Sequence, residues 1–473
     1  MNTENLIRNH QIKPLSHSPF AHMDHKKASH EAVALADKAA RAFSNWSTVN
    51  PEEKRKLLLN AAANIRKHSA ELKKIAAEEV GSADNFLDMN IDIAVEFLQE
   101  AASLTTQINS DLLPNSSAHS LSLAVRQPVG VCLGIPPWNV PILLSVRAIA
   151  LPLACGNTVI LKASELCPKT HQRVIEIIKD SGFPENVINI ITNRPDEAGD
   201  VVESLISHPA VRHINFTGST RVGRLIAELS AKHLKRCILE LSGKAPFIVL
   251  DDANLDKAVE AACYGAFMNQ GQLCISTERV ILQDPIADEF TQLFVAKAKT
   301  LTSGLNHDAS HKLGALIDTK SGKRLQAIID DAVEKGASVL CGGTVNGCYL
   351  DATVIDNVTP SMRIYYEECF GPLVHIVRCC SDDDALSIAN DTEFGLAAAV
   401  FSQDTYRAMN IAKRIESGIC HINSTTVADD ARAPFGGMKS SGHGRFGGSH
   451  SINEFTESRW ITIANDDCPP PQI

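Results

Sequence analysis

Between residues 129 and 250 short, continuously apolar runs alternate with stretches of helical spacing, and nothing else in the sequence restricts the fold as much. The apolar runs are 129–135, 158–162, 187–191, 211–216 and 237–241, with helical stretches such as 141–153 and 168–181 between them. A strand that is apolar on both faces needs cover on both faces, so the alternation predicts parallel strands between helical layers. A second unit of the same kind opens at 247–250 and continues through a helix near 320–335, a strand at 337–340 and an apolar run at 373–377. The expected class is α/β, two doubly wound units packed tightly together, with no internal repeat or long linker.

The remainder is simpler. Residues 1 to about 27 are polar and predict an extended arm. Helical spacing follows over 30–45, 51–68, 70–79 and 88–106, the second with Asn50 as N-cap and Pro51 at its first position. Residues 114–117 break this layer, and 119–125 alternates polar and apolar residues like an exposed strand. At 473 residues the chain is long enough for two or three domains. A net charge of −10 and a pI near 5.9 argue against nucleic acid or an anionic membrane as partner. No apolar run reaches the roughly 20 residues that span a bilayer, and the first residues lack an apolar signal core, so a cytoplasmic location is expected. The thirteen cysteines then read as reduced thiols, with adjacent Cys379 and Cys380 in core packing. No Cys-x-x-Cys pair or Cys/His cluster at zinc spacing occurs, so no metal is expected.

Residues able to carry chemistry stand mainly just past strand ends, where open α/β sheets bind ligands. Cys274 lies on a loop between a helical run (258–267) and a strand-like run (277–282), where a thiol can be reached and oriented; a lone cysteine more often reads as a small buried hydrophobe. Glu240 closes its strand in a position suited to a general base. Asn139 follows Pro136, Pro137 and Trp138; its amide either donates to a developing oxyanion or caps the helix that starts at Pro141. In 216–223, Gly218 and Gly223 free the backbone and the helix start offers N–H groups to a phosphate, the competing reading being an ordinary N-capped turn. Lys162 and Glu165 hold the two hydroxyls of a ribose or form a solvated charge pair. Glu367 and Glu368 offer a carboxylate to a sugar hydroxyl or merely repel one another. The glycine-rich 434–444 reads as a mobile surface loop or as backbone that closes over a site.

Taken in order, Pro-Trp-Asn at 137–139, Lys-Ala-Ser-Glu at 162–165, Phe-Thr-Gly-Ser at 216–219, Glu-Leu-Ser-Gly-Lys at 240–244, Gly-Gln-Leu-Cys at 271–274 and Glu-Glu-Cys-Phe-Gly-Pro at 367–372 resemble the aldehyde dehydrogenase superfamily. The resemblance runs from about residue 30 to 463. It implies a Rossmann-like NAD-binding domain (1–111 and 129–242), a catalytic domain (243–445) and a small β oligomerisation arm (112–128 and 446–473), assembled as a homodimer or homotetramer. It implies Cys274 as nucleophile, the Asn139 amide and the Cys274 backbone N–H as oxyanion donors, and Glu240 as the base that activates water on a thioester. NAD, with NADP possible, is implied on Ile135, Pro137, Trp138, Lys162, Ser164, Glu165, Gly218, Ser219, Leu241, Glu368 and Phe370. Glu240 favours hydrolysis over transfer to coenzyme A, and Glu165 favours NAD because its carboxylate would repel a 2′-phosphate. The chain departs from the family at Ser242, usually glycine, and at Ala163, usually proline.

A finer resemblance, to salicylaldehyde, vanillin and hydroxybenzaldehyde dehydrogenases, rests on 243–246, 274–279, 358–365, 444–448 and 454–463. It implies oxidation of a small aromatic aldehyde to the acid. Met268, Leu273 and Ile275 flank Cys274 with apolar side chains suited to a flat ring. Leu144 and Arg147 fall one and two turns into the helix after Asn139, where the arginine meets either a ring oxygen or an ion-pair partner on a neighbouring helix. The rival functions are oxidation of an aliphatic aldehyde or semialdehyde, acyl transfer to coenzyme A, and a non-catalytic binding or structural role on the same fold.

Overall fold

The computed structural model describes residues 25–114, 120–304 and 312–464. The arm expected over 1–24, the break at 115–117, the start of the strand at His119 and the end of the chain at 465–473 lie outside the described residues. Residues 25–27, expected in that arm, instead open helix α1 (His25–Trp46). With α2 (Pro51–Lys67), α3 (Ser69–Val80) and α4 (Asp84–Leu104) it makes the opening layer. Asn50 caps α2 by accepting from the Glu52 N–H at 2.8 Å, with Pro51 in the first turn and Arg66 and Lys67 in the last. α4 begins a turn earlier than its spacing predicted because Phe86 and Leu87 are buried.

β1 (Asp111–Leu112) and β2 (Ser120–Pro128) precede the first large sheet. That sheet contains β3 (Val131–Ile135), β4 (Thr158–Lys162), β5 (Ile188–Ile191), β6 (Val211–Thr217) and β7 (Arg236–Glu240), parallel in the order β7-β6-β3-β4-β5. Between its strands run α5 (Pro141–Ala154), α6 (Pro168–Lys179), α7 (Ala198–Ser207) and α8 (Thr220–Lys232). Cys132, Val159 and Leu161 pack with α5 and α6, while Leu133, Ile160 and Ile214 face the alanines of α1 and the apolar side of α7. Gly134 lets α5 lie close on β3, since a Cβ there would come within 2.9 Å of the Ala148 Cβ.

The second sheet is built from β8 (Ala245–Val249), β9 (Thr277–Gln283), β10 (Ser338–Cys341), β11 (Thr353–Asp356) and β12 (Leu373–Cys379). After β13 (Phe394–Gly395) it gains β14 (Ala397–Phe401) and β15 (Ile419–Ile422), giving the order β10-β11-β12-β9-β8-β14-β15. Helix α9 (Leu255–Phe267) covers it between β8 and β9, with Asn254 as N-cap. The end of β12 separates the cysteine pair: Cys379 is buried and Cys380, expected beside it in the core, is exposed because the strand stops and alternate positions face outward.

The glycine-rich 434–444 is not the mobile surface loop it resembles. β16 (Met438–Lys439) pairs with β13, and β17 (Gly442–His443) pairs antiparallel with β7 at the edge of the first sheet. The Leu241 N–H donates to the Ser441 carbonyl at 3.1 Å and the Ser441 hydroxyl to the Ser242 carbonyl at 2.6 Å. Last, β18 (Thr456–Ala464) runs antiparallel along β2 from Thr456 opposite Pro128 to Ala464 opposite Ser120. β1, β2 and β18 form a separate three-stranded sheet that leaves Leu112 and Trp460 exposed. No helix among the described residues is long and apolar enough to cross a membrane.

Candidate active site

β7 ends on Glu240 and passes through residues 241–244 directly into β8, so the carboxyl edge of the first sheet faces the amino edge of the second. Loop 268–276 enters β9 at that edge, and 367–372 enters β12. Across from them the order of the first sheet turns about β3, with β4 and β5 to one side and β6 and β7 to the other. Ligands of open α/β sheets bind at such a switch point.

The Cys274 loop is shaped by three successive left-handed residues, Asn269 (φ 48°), Gln270 (φ 56°) and Gly271 (φ 64°), which end α9 and turn the chain back. A Cβ on Gly243 would lie 2.2 Å from the Cys274 carbonyl oxygen, so the turn after Glu240 rests directly on the backbone of the cysteine. Asn139 does not cap α5; Val140 does, without a side-chain bond. Instead the Asn139 Nδ2 donates to the Gln272 carbonyl at 2.9 Å, and its own carbonyl accepts from the Asn269 Nδ2 at 3.1 Å. One amide hydrogen fixes Asn139 to the cysteine loop and leaves the second for a ligand.

Glu240 is 1% exposed, and burial pushes its carboxyl up to about 7, against hydrogen bonding from Cys274 and Thr217 and the charge of Arg147. Its Oε1 has no hydrogen-bond partner among the described residues. Burial and then the charges of Glu240 and Glu368 hold the Cys274 thiol well above its ordinary range. The thiol is therefore not activated by a lowered pKa; at neutral pH it keeps its proton until a base removes it, and the neighbouring carboxylate is placed to be that base.

On the other side, Lys162 and Glu165 form an ion pair at the end of β4, and Glu165 also accepts from the Asn193 Nδ2 at 3.0 Å. With Lys162 buried, this is not a solvated pair. Ser164 is buried, and its N–H donates to His171 Nδ1 at 3.1 Å. Burial lowers His171 to about 3, so the ring is neutral and accepts at this nitrogen. Ser219 N-caps α8 by accepting from the Val222 N–H, and the Thr220 N–H donates to the Ser242 hydroxyl; both bonds are 3.4 Å. N–H groups that the phosphate reading leaves free are thus engaged, as in the competing N-capped turn, by long and weak bonds. A Cβ on Gly218 would reach 2.5 Å from the Phe216 ring, and one on Gly223 would reach 2.4 Å from the Leu241 side chain, so either would make its neighbour shift.

Ile135 and Leu241 are buried behind these turns, while Pro137 and Trp138 are half-buried. Trp138 meets Phe370 edge to face with ring centroids 5.9 Å apart. Glu367 and Glu368 do not oppose one another: Glu367 pairs with Arg363 at 2.9 Å, and Glu368 Oε1 accepts from the Gly243 N–H at 3.0 Å. Burial pushes Glu368 up to about 7.

Around the thiol, Met268, Leu273 and Ile275 join Phe86, Val427 and Phe435 in one apolar cluster. Leu144 is buried on α5, and Arg147, one turn further on, lies with its guanidinium between the rings of Phe97 and Phe435. Its ion-pair partner is Asp429 on the loop after β15, not a residue of a neighbouring helix.

The sequence pattern of the aldehyde dehydrogenase family matches residues 3–461. The chain belongs to the aldehyde dehydrogenase family. It is 50% identical to a vanillin dehydrogenase of Pseudomonas fluorescens over 435 residues, 92% of this chain and 90% of the relative. It is 45% identical to a salicylaldehyde dehydrogenase of Pseudomonas putida over 436 residues, again 92% and 90% of the two chains. A crystal structure of a salicylaldehyde dehydrogenase from Pseudomonas putida G7 complexed with salicylaldehyde superposes with a TM-score of 0.92 at 43% identity, covering 94% of this chain and 92% of the other.

Three features of this aldehyde dehydrogenase escaped the reading of its sequence. Lys244 and Glu278 both lie inside motifs quoted for the resemblance, yet their role shows only in three dimensions. The Lys244 ammonium donates to Glu278 at 2.6 Å and to the Glu367 carbonyl at 2.7 Å, while Glu278 accepts from the Cys369 and Phe370 N–H groups at 2.9 and 3.0 Å. One buried ion pair thereby fastens together the segments that carry Glu240, Cys274 and Glu368. The Gly243 contact and the Asp429 pairing join residues distant in sequence and left no periodic signal.

Proposed function

We propose that this aldehyde dehydrogenase oxidises small aromatic aldehydes to carboxylic acids with NAD as the preferred cofactor and without coenzyme A. The observation that carries the reading is an apolar wall around Cys274, closed by an arginine whose charge is matched by Asp429, a setting suited to a flat, uncharged ring. Names of the similar vanillin and salicylaldehyde dehydrogenases support the same substrate class.

The site residues divide the work as follows. Glu240 takes the proton of Cys274, and the thiolate attacks the carbonyl carbon, forming a thiohemiacetal whose oxyanion is held by the free amide hydrogen of Asn139 and the Cys274 N–H. Bound NAD supplies the acceptor for the hydride that leaves this carbon. Glu240 releases the thiol's proton to solvent and then deprotonates the water that attacks the resulting thioester; as the C–S bond breaks, that second proton passes from Glu240 to the leaving Cys274 thiolate. The turn at 218–223 with Ser219 would hold the phosphates of a dinucleotide, and the Lys162–Glu165 pair with Ser164, and Glu368 with Phe370, would hold its riboses. Ile135, Pro137, Trp138 and Leu241 line the same cleft.

We assign residues up to 111 and 129–242 to the cofactor domain, 243–445 to the catalytic domain and 112–128 with 446–473 to an oligomerisation arm. Exposed Leu112, Trp460 and Ile463 on the small sheet suit pairing with a second copy, giving a homodimer or homotetramer. Free cysteines throughout the described residues fit a reducing compartment such as the cytoplasm.

The test is NADH or NADPH formation with salicylaldehyde, vanillin, 4-hydroxybenzaldehyde, benzaldehyde, hexanal and succinic semialdehyde. An aromatic aldehyde favoured over hexanal in kcat/KM by about tenfold or more, roughly 1.4 kcal/mol of transition-state preference, supports the reading. Preference for hexanal or the semialdehyde overturns the substrate class.

A further inference from the structure

Arg147 and Asp429 make a buried ion pair with hydrogen-bonding capacity left over. The Arg147 side chain is 2% exposed and that of Asp429 11%. One Arg147 nitrogen, Nη2, binds one Asp429 oxygen, Oδ2, while Arg147 Nε and Asp429 Oδ1 have no partner among the described residues. A buried donor and a buried acceptor left unsatisfied cost about 1–3 kcal/mol each, so a fold that keeps both together invites a ligand that satisfies both.

The aromatic neighbours limit what that ligand can be. Phe97 and Phe435 cover the guanidinium at 4.8 and 4.4 Å from their ring centroids, so new hydrogen bonds form in its plane, where the unpartnered Nε stands beside the Nη2 that binds Asp429. Phe435 also belongs to the apolar cluster that surrounds Cys274 through Leu273 and Ile275, and the charges of Arg147 and Asp429 both act on Glu240. The pair is thus part of the wall that a ring attached to the reacting carbonyl would touch.

We propose that Asp429, paired with Arg147, is a specificity residue that reads a hydroxyl on the aromatic ring of the substrate. The hydroxyl hydrogen is donated to the Asp429 carboxylate and its oxygen accepts from the Arg147 edge. A hydroxyl is the small group that both donates and accepts. A methoxy oxygen accepts only, a bare ring does neither, and a ring carboxylate that accepts from Arg147 meets the negative charge of Asp429. The inference rests on the aromatic-aldehyde reading above and adds the residue that ranks substrates within that class.

The experiment compares kcat/KM of wild type and Asp429→Asn for 2-, 3- and 4-hydroxybenzaldehyde, benzaldehyde and 4-carboxybenzaldehyde. Dividing each value by that for benzaldehyde in the same protein, and then comparing proteins, cancels the intrinsic electronics of each ring. In wild type the best hydroxylated isomer is expected to exceed benzaldehyde by about tenfold or more. In Asp429→Asn that ratio falls at least about fivefold and the ratio for 4-carboxybenzaldehyde rises, because Arg147 is left with an uncompensated charge. A merely structural role lowers all substrates together and leaves the ratios in place, which overturns the proposal. Should the variant not fold, inhibition of wild type decides: phenol must compete with benzaldehyde more tightly than toluene does, and equal or weaker inhibition by phenol overturns the proposal. If wild type instead prefers hexanal to every aromatic aldehyde, the functional reading fails, an outcome distinct from unchanged ratios.

Discussion

Burial of Glu240 beside Cys274 makes both groups hold their protons more tightly than they would in water, Glu240 up to about 7 and the thiol higher still. Catalysis needs the carboxylate, so kcat/KM is expected to rise with pH through about 7 in wild type, and Glu240→Gln is expected to lose that limb along with a hundredfold or more in kcat, about the contribution of a general base. Stability runs the other way. A carboxyl whose folded-state pKa is raised stabilises the fold fully below its ordinary 4.5 and loses that contribution as pH rises through about 7. Thermal unfolding from pH 5 to 8.5 should show wild type losing stability relative to Glu240→Gln, by up to roughly 3 kcal/mol. An equal pH dependence of the two proteins would contradict the assigned burial. The type and place of Cys274, Glu240 and Asn139 were legible in the sequence, because strand ends and loop positions follow from pattern. The state of the thiol was not, since it is set first by burial and then by Glu240 and Glu368, carboxylates that the fold brings to Cys274 from distant parts of the chain.

At the scale of elements, the five parallel strands of the first sheet were legible to within a residue or two because both-face burial forces a continuous apolar run, as in Thr158–Lys162, whereas β11, β14 and β15 of the second sheet were not singled out. Of the two readings of segment 434–444, the mobile loop does not hold, because its glycines serve close approach to β7: a Cβ on Gly442 would lie 2.0 Å from the Leu239 carbonyl oxygen. Gly243 is the same kind of residue at the reacting centre. Gly243→Ala should push the Cys274 carbonyl away, lowering kcat/KM by about a hundredfold through misplacement of the thiol and stability by about 1–3 kcal/mol through overpacking. Steady-state kinetics beside denaturant unfolding check this, and a fully active Gly243→Ala enzyme would show that the contact does not position the nucleophile.

For the whole molecule, the two sheets meet end to end and each brings half of the site, which explains why the motifs are spread from 137 to 372 while the geometry is local. The small sheet would serve assembly under the domain assignment proposed above. Trp460→Asp with Ile463→Asp should reduce the assembly to smaller species in light scattering, while an unchanged mass would remove β18 from the interface. The most direct test of the account is the fate of Cys274 in Glu240→Gln given an aromatic aldehyde and NAD. One equivalent of NADH per subunit, formed slowly and followed by near arrest, with the acyl mass on the Cys274 peptide, is the predicted result. Continued turnover at the wild-type rate, or an acyl group on any other residue, would contradict it.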